Sequence, residues 1–356
     1  MALRPFSKVP YLPFLSLRPA EMLALEELPS ATKDRMLPLI HLRPWTTAFA
    51  LQSGLDRLTA AYGNRPTVIA VGAPETAANL RPVHRELAIL RDAEGGYQNW
   101  CRFIEDEGHE HFIPAVQIED PAGIDGQVRR FYELGRGLVV IVPRAALGGL
   151  RALAKAVTQL TDAGRGVCFV LDERRTDIHS LNRAVFLTAH CDEIKEICPY
   201  AAISISGSSF PDNFKGVAGQ DIYERILFNE VVAKVGKKRM IYSDRGSARV
   251  ERMGGGGLPM PRVDYPLAQH WSFFRSQTEG APGYKQMAEN LLSPEVGVFD
   301  ERLRVWGTLM IERTAKGIEP SIKTPARSTA VRINLHLQRQ TFFDDPVGLF
   351  DTEDDW

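Results

Sequence analysis

The strongest constraint on this chain is a unit that recurs along it: a helical segment, a turn, then a short apolar run whose last residues are polar. Its clearest copy is Gly166–Val167–Cys168–Phe169–Val170–Leu171–Asp172–Glu173–Arg174. That run is too short for a helix and suits a strand buried on both faces. Seven further runs read the same way, at Tyr11–Arg18, Met36–Arg43, Thr67–Gly72, Phe112–Glu119, Leu138–Val142, Ala201–Ser206 and Arg239–Asp244. Prolines inside the first two predict irregular pairing there. Helical stripes separate the strands, among them Leu150–Leu160 closed by Gly164, and Ile222–Val235 closed by Gly236. A long helical region is expected from about Arg81 to Glu107.

Eight strands alternating with seven helices over residues 1–250 imply right-handed crossovers and a parallel sheet. The expected fold is α/β, a (β/α)8 TIM-barrel-like domain, since eight such units close naturally at this size. A doubly wound open sheet is the alternative and would require a reversal of strand order. Residues 251–343 read as a glycine-rich loop, Met253–Pro261, followed by an extension packed on the barrel. The missing eighth helix is expected within that extension. Residues 344–356 form an acidic tail with apolar anchors, read as a mobile end or as an arm for a partner protein.

Composition narrows the class. A hydrophobic fraction of 44% and a charged fraction of 24% are ordinary for a soluble globular protein. A net charge of −1 argues against a generally basic nucleic-acid binder. The cluster Lys234, Lys237, Lys238 and Arg239 precedes a strand and so falls at the bottom of a barrel. Cys101, Cys168, Cys191 and Cys198 lack metal-ribbon spacing, and reduced cysteines in a cytoplasmic protein are expected. No signal peptide or membrane-spanning run is visible.

In a barrel of this kind the residues just past the C-terminal ends of the strands converge on one face. They include Arg18, His41, Arg43, Glu75, Glu119, Arg144, Asp172, Asp244 and Arg245. Glu119, Asp172 and Asp244, on alternate strands, are the candidate catalytic carboxylates. They could act as an acid–base pair or as ligands to a divalent ion such as Mg²⁺. Ser206–Gly207–Ser208–Ser209, with Gly246–Ser247, occupies the position where many barrels bind phosphate. Arg18, Arg43 and Arg245 would bind the same anion, arginine being suited to bidentate phosphate recognition. Salt bridges among these groups are the competing account of the carboxylates. No nucleophile elbow, Walker-type loop or dinucleotide fingerprint is present.

The opening, Tyr11-x-Pro13 through Arg18-x-x-Glu21-x-x-Ala24-Leu25, then Lys33-x-x-x-Leu37-Pro38-Leu39-Ile40, resembles the beta family proteins, named after a T-even phage protein. Trp306-Gly307 and Arg332-Ile333-Asn334-x-His336-Leu337 resemble the family's ending. The resemblance implies a barrel-like α/β protein of phages and of bacterial mobile or defence-associated loci. It brings no catalytic set. The function expected from the residues is recognition of a phosphate-bearing or other anionic ligand, such as a nucleotide, with metal-assisted hydrolysis as an extension. A non-catalytic scaffold acting through the tail or the glycine loop is the alternative.

Overall fold

A computed structural model describes residues 3–75, 79–250 and 260–352. Eight strands form one parallel sheet: β1 (Phe14–Ser16), β2 (Leu39–Leu42), β3 (Thr67–Val71), β4 (Phe112–Val116), β5 (Leu138–Pro143), β6 (Val167–Arg175), β7 (Ala202–Ser208) and, after a short β8 (Gly219–Asp221), β9 (Met240–Tyr242). Their spatial order is the order of the chain, without the reversal that a doubly wound sheet requires. The sheet is curled, and the segments flanking its outer strands are hydrogen-bonded: Leu12 N–H donates to Tyr242 O at 2.9 Å and Phe14 N–H to Asp244 O at 2.8 Å. Pro13 and Pro38 stand just before β1 and β2, where each supplies a carbonyl and no N–H is needed.

The helices are α1 (Pro19–Glu26), α2 (Ser30–Arg35), α3 (Gln52–Tyr62), α4 (Pro82–Arg91), α5 (Glu94–Glu105), α6 (Ile124–Glu133), α7 (Leu150–Leu160), α8 (Ala184–Ile197), α9 (Tyr223–Val235), α10 (Gly280–Leu292), α11 (Trp306–Lys316) and α12 (Pro325–Thr341). The expected long helix after β3 is two: Asp92 leaves helical geometry between α4 and α5, and α5 opens on Gly95 and Gly96 with positive φ. Alternation along the strands divides the core in two. One side chain set packs on the helices. The other, including Phe14, Leu39, Val68, Ile113, Val139, Cys168, Val170, Ala202 and Ile241, draws on all eight strands and fills the concave face. Phe6 and Val9, from the turn before β1, join that inner cluster. All four cysteines are free and buried. Among the described residues no helix is long and apolar enough to cross a membrane.

The extension contains a hairpin, β10 (Arg262–Pro266) with β11 (His270–Arg275), and β11 also pairs antiparallel with β8. A three-residue strand carries too little periodicity to be read from sequence, so this second sheet was not anticipated. The last helix of the extension is α12. It packs on α1, α11 and β10, and every residue from Ala330 to Thr341 is buried. A helix buried all round must satisfy its polar side chains internally. Asn334 donates to Ala24 O and Glu27 O and accepts from Gly307 N–H; Gln338 joins Thr32; Gln340 accepts from Arg225. A Cβ at Gly307 would fall 2.6 Å from Leu335, which explains glycine where α11 crosses α12. The start of the acidic tail is docked: Asp344 pairs with Lys237, Asp345 with Arg35, and Arg302 lies over the Phe350 ring. The tail's end, residues 353–356, and most of the glycine-rich loop lie outside the described residues.

Candidate functional site at the strand ends

The concave face turns polar toward the C-terminal strand ends. Phe14 lies in the inner cluster, and period two carries the same face through Ser16. By the same count, His41 and Arg43 follow Leu39, Asp172 follows Val170, Ser204 and Ser206 follow Ala202, and Ser243 and Arg245 follow Ile241. Asp172 and Ser206 are partners in register. Arg245 Nη2 donates to Asp172 Oδ2 at 2.5 Å, and its guanidinium lies 3.8 Å from the Phe14 ring centre. His41 meets the same ring edge-on at 4.5 Å. Arg43 reaches outward to Glu75 at 2.9 Å. His41 is held well below the usual histidine range by burial and then by Arg245, Arg43 and Arg18. It is therefore neutral at pH 7.

Five buried polar atoms here have no partner among the described residues: Ser204 Oγ, Ser206 Oγ, Ser243 Oγ, Arg43 Nε and Arg245 Nε. Orphaned buried donors normally cost about 1–3 kcal/mol each, so their grouping on one face asks for an explanation. The neighbouring serines are different. Gly207 and Ser208 continue β7 rather than forming a loop, and a Cβ at Gly207 would strike Thr176 at 2.7 Å. Ser208 Oγ donates to Ala248 O, and Ser209 is bound to Glu224 through both its N–H and its hydroxyl. Of the three serines, Ser206 is the one whose hydroxyl has no partner among the described residues.

The three carboxylates do not come together. Glu119 is exposed and lies near Tyr97, without a hydrogen bond or ion pair among the described residues. Asp172 faces the concave side. Asp244 follows the helix-facing Tyr242, so its side chain points the other way, beneath α12. There it accepts from Tyr11 Oη at 2.5 Å, Tyr242 Oη at 2.8 Å and Gly246 N–H at 2.8 Å, and pairs with His336 Nε2 at 2.6 Å. Burial opposes its charge. His336 and the surrounding hydrogen bonds outweigh burial and hold the carboxyl at about 2. Gly246 has a positive φ, +59°, and a Cβ there would fall 2.7 Å from Leu15. Among the described residues no group of three or more His, Cys, Asp or Glu is placed to hold a metal ion. His336 and its partner Asp244 lie 92 positions apart, which no spacing rule links.

Glu224, in the first turn of α9, is buried and pushed up to about 7 by burial and then by Asp244. A carboxyl whose folded value is raised holds its proton better folded than unfolded. Its contribution is fully present below about pH 4.3 and is lost as pH rises through about 7, a swing on the order of 3 kcal/mol. Glu224→Gln keeps an acceptor for Ser209 and Thr176 while removing the buried charge. Urea unfolding should therefore show the variant more stable than the parent at pH 8 and its stability flatter between pH 5 and 8. A variant weaker at pH 8 would mean that the ionised carboxylate is compensated.

The comparisons fit this architecture. The family model described as Beta protein matches residues 11–342. The chain is also similar to Protein beta of Enterobacteria phage P4, 28% identical over 344 residues covering 94% of each chain. That relative is of phage P4 rather than of a T-even phage. The family match begins at Tyr11 and ends at Phe342, just past α12. It thus takes in the whole curled sheet, the Asp244 network and the helix that completes it, and this chain belongs to the Beta protein family.

Proposed function

We propose that the protein binds a phosphate-bearing or other anionic ligand at the C-terminal end of an eight-stranded barrel, with the curled sheet closed along β1 and β9. The observation that carries this reading is that Arg245 and the neutral His41 meet the same Phe14 ring, with the charges of Arg43 and Arg18 also felt at His41, beside three buried hydroxyls that lack a partner among the described residues. Asp172 and Glu75 are the carboxylates paired directly with these arginines. In this reading Arg43 and Arg245 donate to the anion, with Arg18 at the rim and Ser206 and Ser243 below. Asp172 holds Arg245 in place as its counter-ion. Any Mg²⁺ would arrive with a polyphosphate ligand. Of the three carboxylates Asp172 alone stands at this face, so the reading is one of binding rather than of hydrolysis by a carboxylate pair. A phage relative over nearly the whole length supports a role in phage–host conflict.

The test is thermal unfolding with phosphate and nucleotides, with and without Mg²⁺, at matched ionic strength. A ligand at a hundredfold excess over its Kd stabilises the fold by about 2.7 kcal/mol. The parent should gain several degrees, and Arg18→Ala/Arg43→Ala should lose most of that gain. The reading fails if no anion shifts the parent or if the variant responds equally.

A further inference from the structure

A second concentration of arginine lies on the small sheet, apart from the strand-end residues. Asp264 on β10 is 1% exposed and faces three guanidiniums. Arg332 of α12 donates to Asp264 Oδ2 at 2.7 Å. Arg262 Nε stands 3.6 Å from the same oxygen, and Arg275 Nη2 stands 2.9 Å from Oδ1. That last contact is close but not aligned for a hydrogen bond, since both atoms remain unpartnered. Arg249 adjoins the group and is tied to Pro211 O and Asp212 O. Among the described residues, four guanidiniums thus share two carboxylates, Asp264 and Asp212, and Asp212 is also claimed by Arg175.

The excess is not spread into water. Arg332 is 3% exposed, and its guanidinium lies 4.0 Å from the Phe210 ring centre; that of Arg275 lies 3.6 Å from the Phe214 ring centre. Nε of Arg262, Arg275 and Arg332 are all buried without a hydrogen-bond partner among the described residues. Burial lowers Arg275 and Arg332 to about 10, which leaves both charged at pH 7. Converging, desolvated and under-neutralised guanidiniums with free donors form the environment that an oxyanion completes. An ion-pair cluster serving stability alone would be expected to balance its charges.

We propose that Arg262, Arg275 and Arg332 form a second anion subsite, specific for a tetrahedral oxyanion such as phosphate or a phosphomonoester, with Arg249 at its edge and Asp264 as its internal counter-ion. The subsite stands independently of the strand-end reading, because the two share no residue.

Inorganic phosphate is the probe, measured by calorimetry and thermal unfolding against chloride at equal ionic strength. In the full chain carrying Arg18→Ala/Arg43→Ala, phosphate should still raise the melting temperature. Adding Arg275→Ala should remove that response. Arg275→Lys, which keeps the charge without the fork, should weaken phosphate by at least about tenfold while leaving the circular dichroism spectrum unchanged. Asp264→Asn should tighten phosphate, since it removes the competing anion. Loss of the whole response in Arg18→Ala/Arg43→Ala would overturn this subsite and leave the strand-end site standing. A response in the parent that only Arg275→Ala abolishes would do the reverse. A response surviving Arg275→Ala in the doubly substituted background would also overturn the subsite.

Discussion

Replacing Asp244 by alanine is expected to destabilise the fold by about 3–5 kcal/mol, the range for removing one member of a buried pair. The carboxylate accepts from two tyrosine hydroxyls and a backbone N–H and pairs with a histidine, all in a fully buried setting. Alanine leaves those groups without a partner at the seam where the Tyr11 segment meets the Asp244 segment beneath α12. Asp244→Asn restores an acceptor but not the charge, and should recover part of the loss. Acid provides an independent check. A carboxyl held at about 2 when folded, against roughly 3.9 when unfolded, contributes stability above pH 4 that is lost as pH falls toward 2. That swing is about 2–3 kcal/mol, and it should be missing from Asp244→Asn. Denaturant midpoints between pH 2.5 and 5 would measure it. An alanine variant with the parent's midpoint would show that the network does not hold the seam.

The second large effect concerns Asp172, and its direction is the informative part. If Arg245 serves an anionic ligand, Asp172 competes for the same guanidinium. Asp172→Asn should then tighten anion binding by about tenfold to a hundredfold, the size expected for removing a unit charge roughly 6 Å away at intermediate dielectric. Arg245→Ala should abolish binding and also destabilise the fold, since it leaves a nearly buried carboxylate uncompensated. Titration calorimetry with the best anion from the thermal screen separates the cases. Weaker binding in Asp172→Asn would instead make the carboxylate a direct contact of the ligand or of a metal ion that accompanies it.

Both expectations turn on which way a side chain faces at the end of a strand. The sequence grouped Glu119, Asp172 and Asp244 because each follows an apolar run. Period two already distinguishes them: Asp172 continues the side of Cys168 and Val170, whereas Asp244 continues that of Tyr242. What the pattern lacks is the identity of the inner side, because parallel strands buried on both faces are apolar throughout. The serines after Ala202 show a related limit. Composition suggested a phosphate loop, yet β7 runs on through Ser208, and Glu224 takes up Ser209.

The sequence by itself determined the eight strands, the helical character of the seven connections between them, the sequential parallel order and the arginines at the strand ends. These depend on apolar periodicity and chain connectivity, which a short window records. Only the tertiary structure decided that α12 packs on α1, that Asp244 lies beneath it with Tyr11, Tyr242 and His336, and that Arg262, Arg275 and Arg332 crowd one aspartate. Such groupings join residues tens to hundreds of positions apart. Their energies depend on distance and desolvation, which arise only when the packed elements bring the groups together and exclude water.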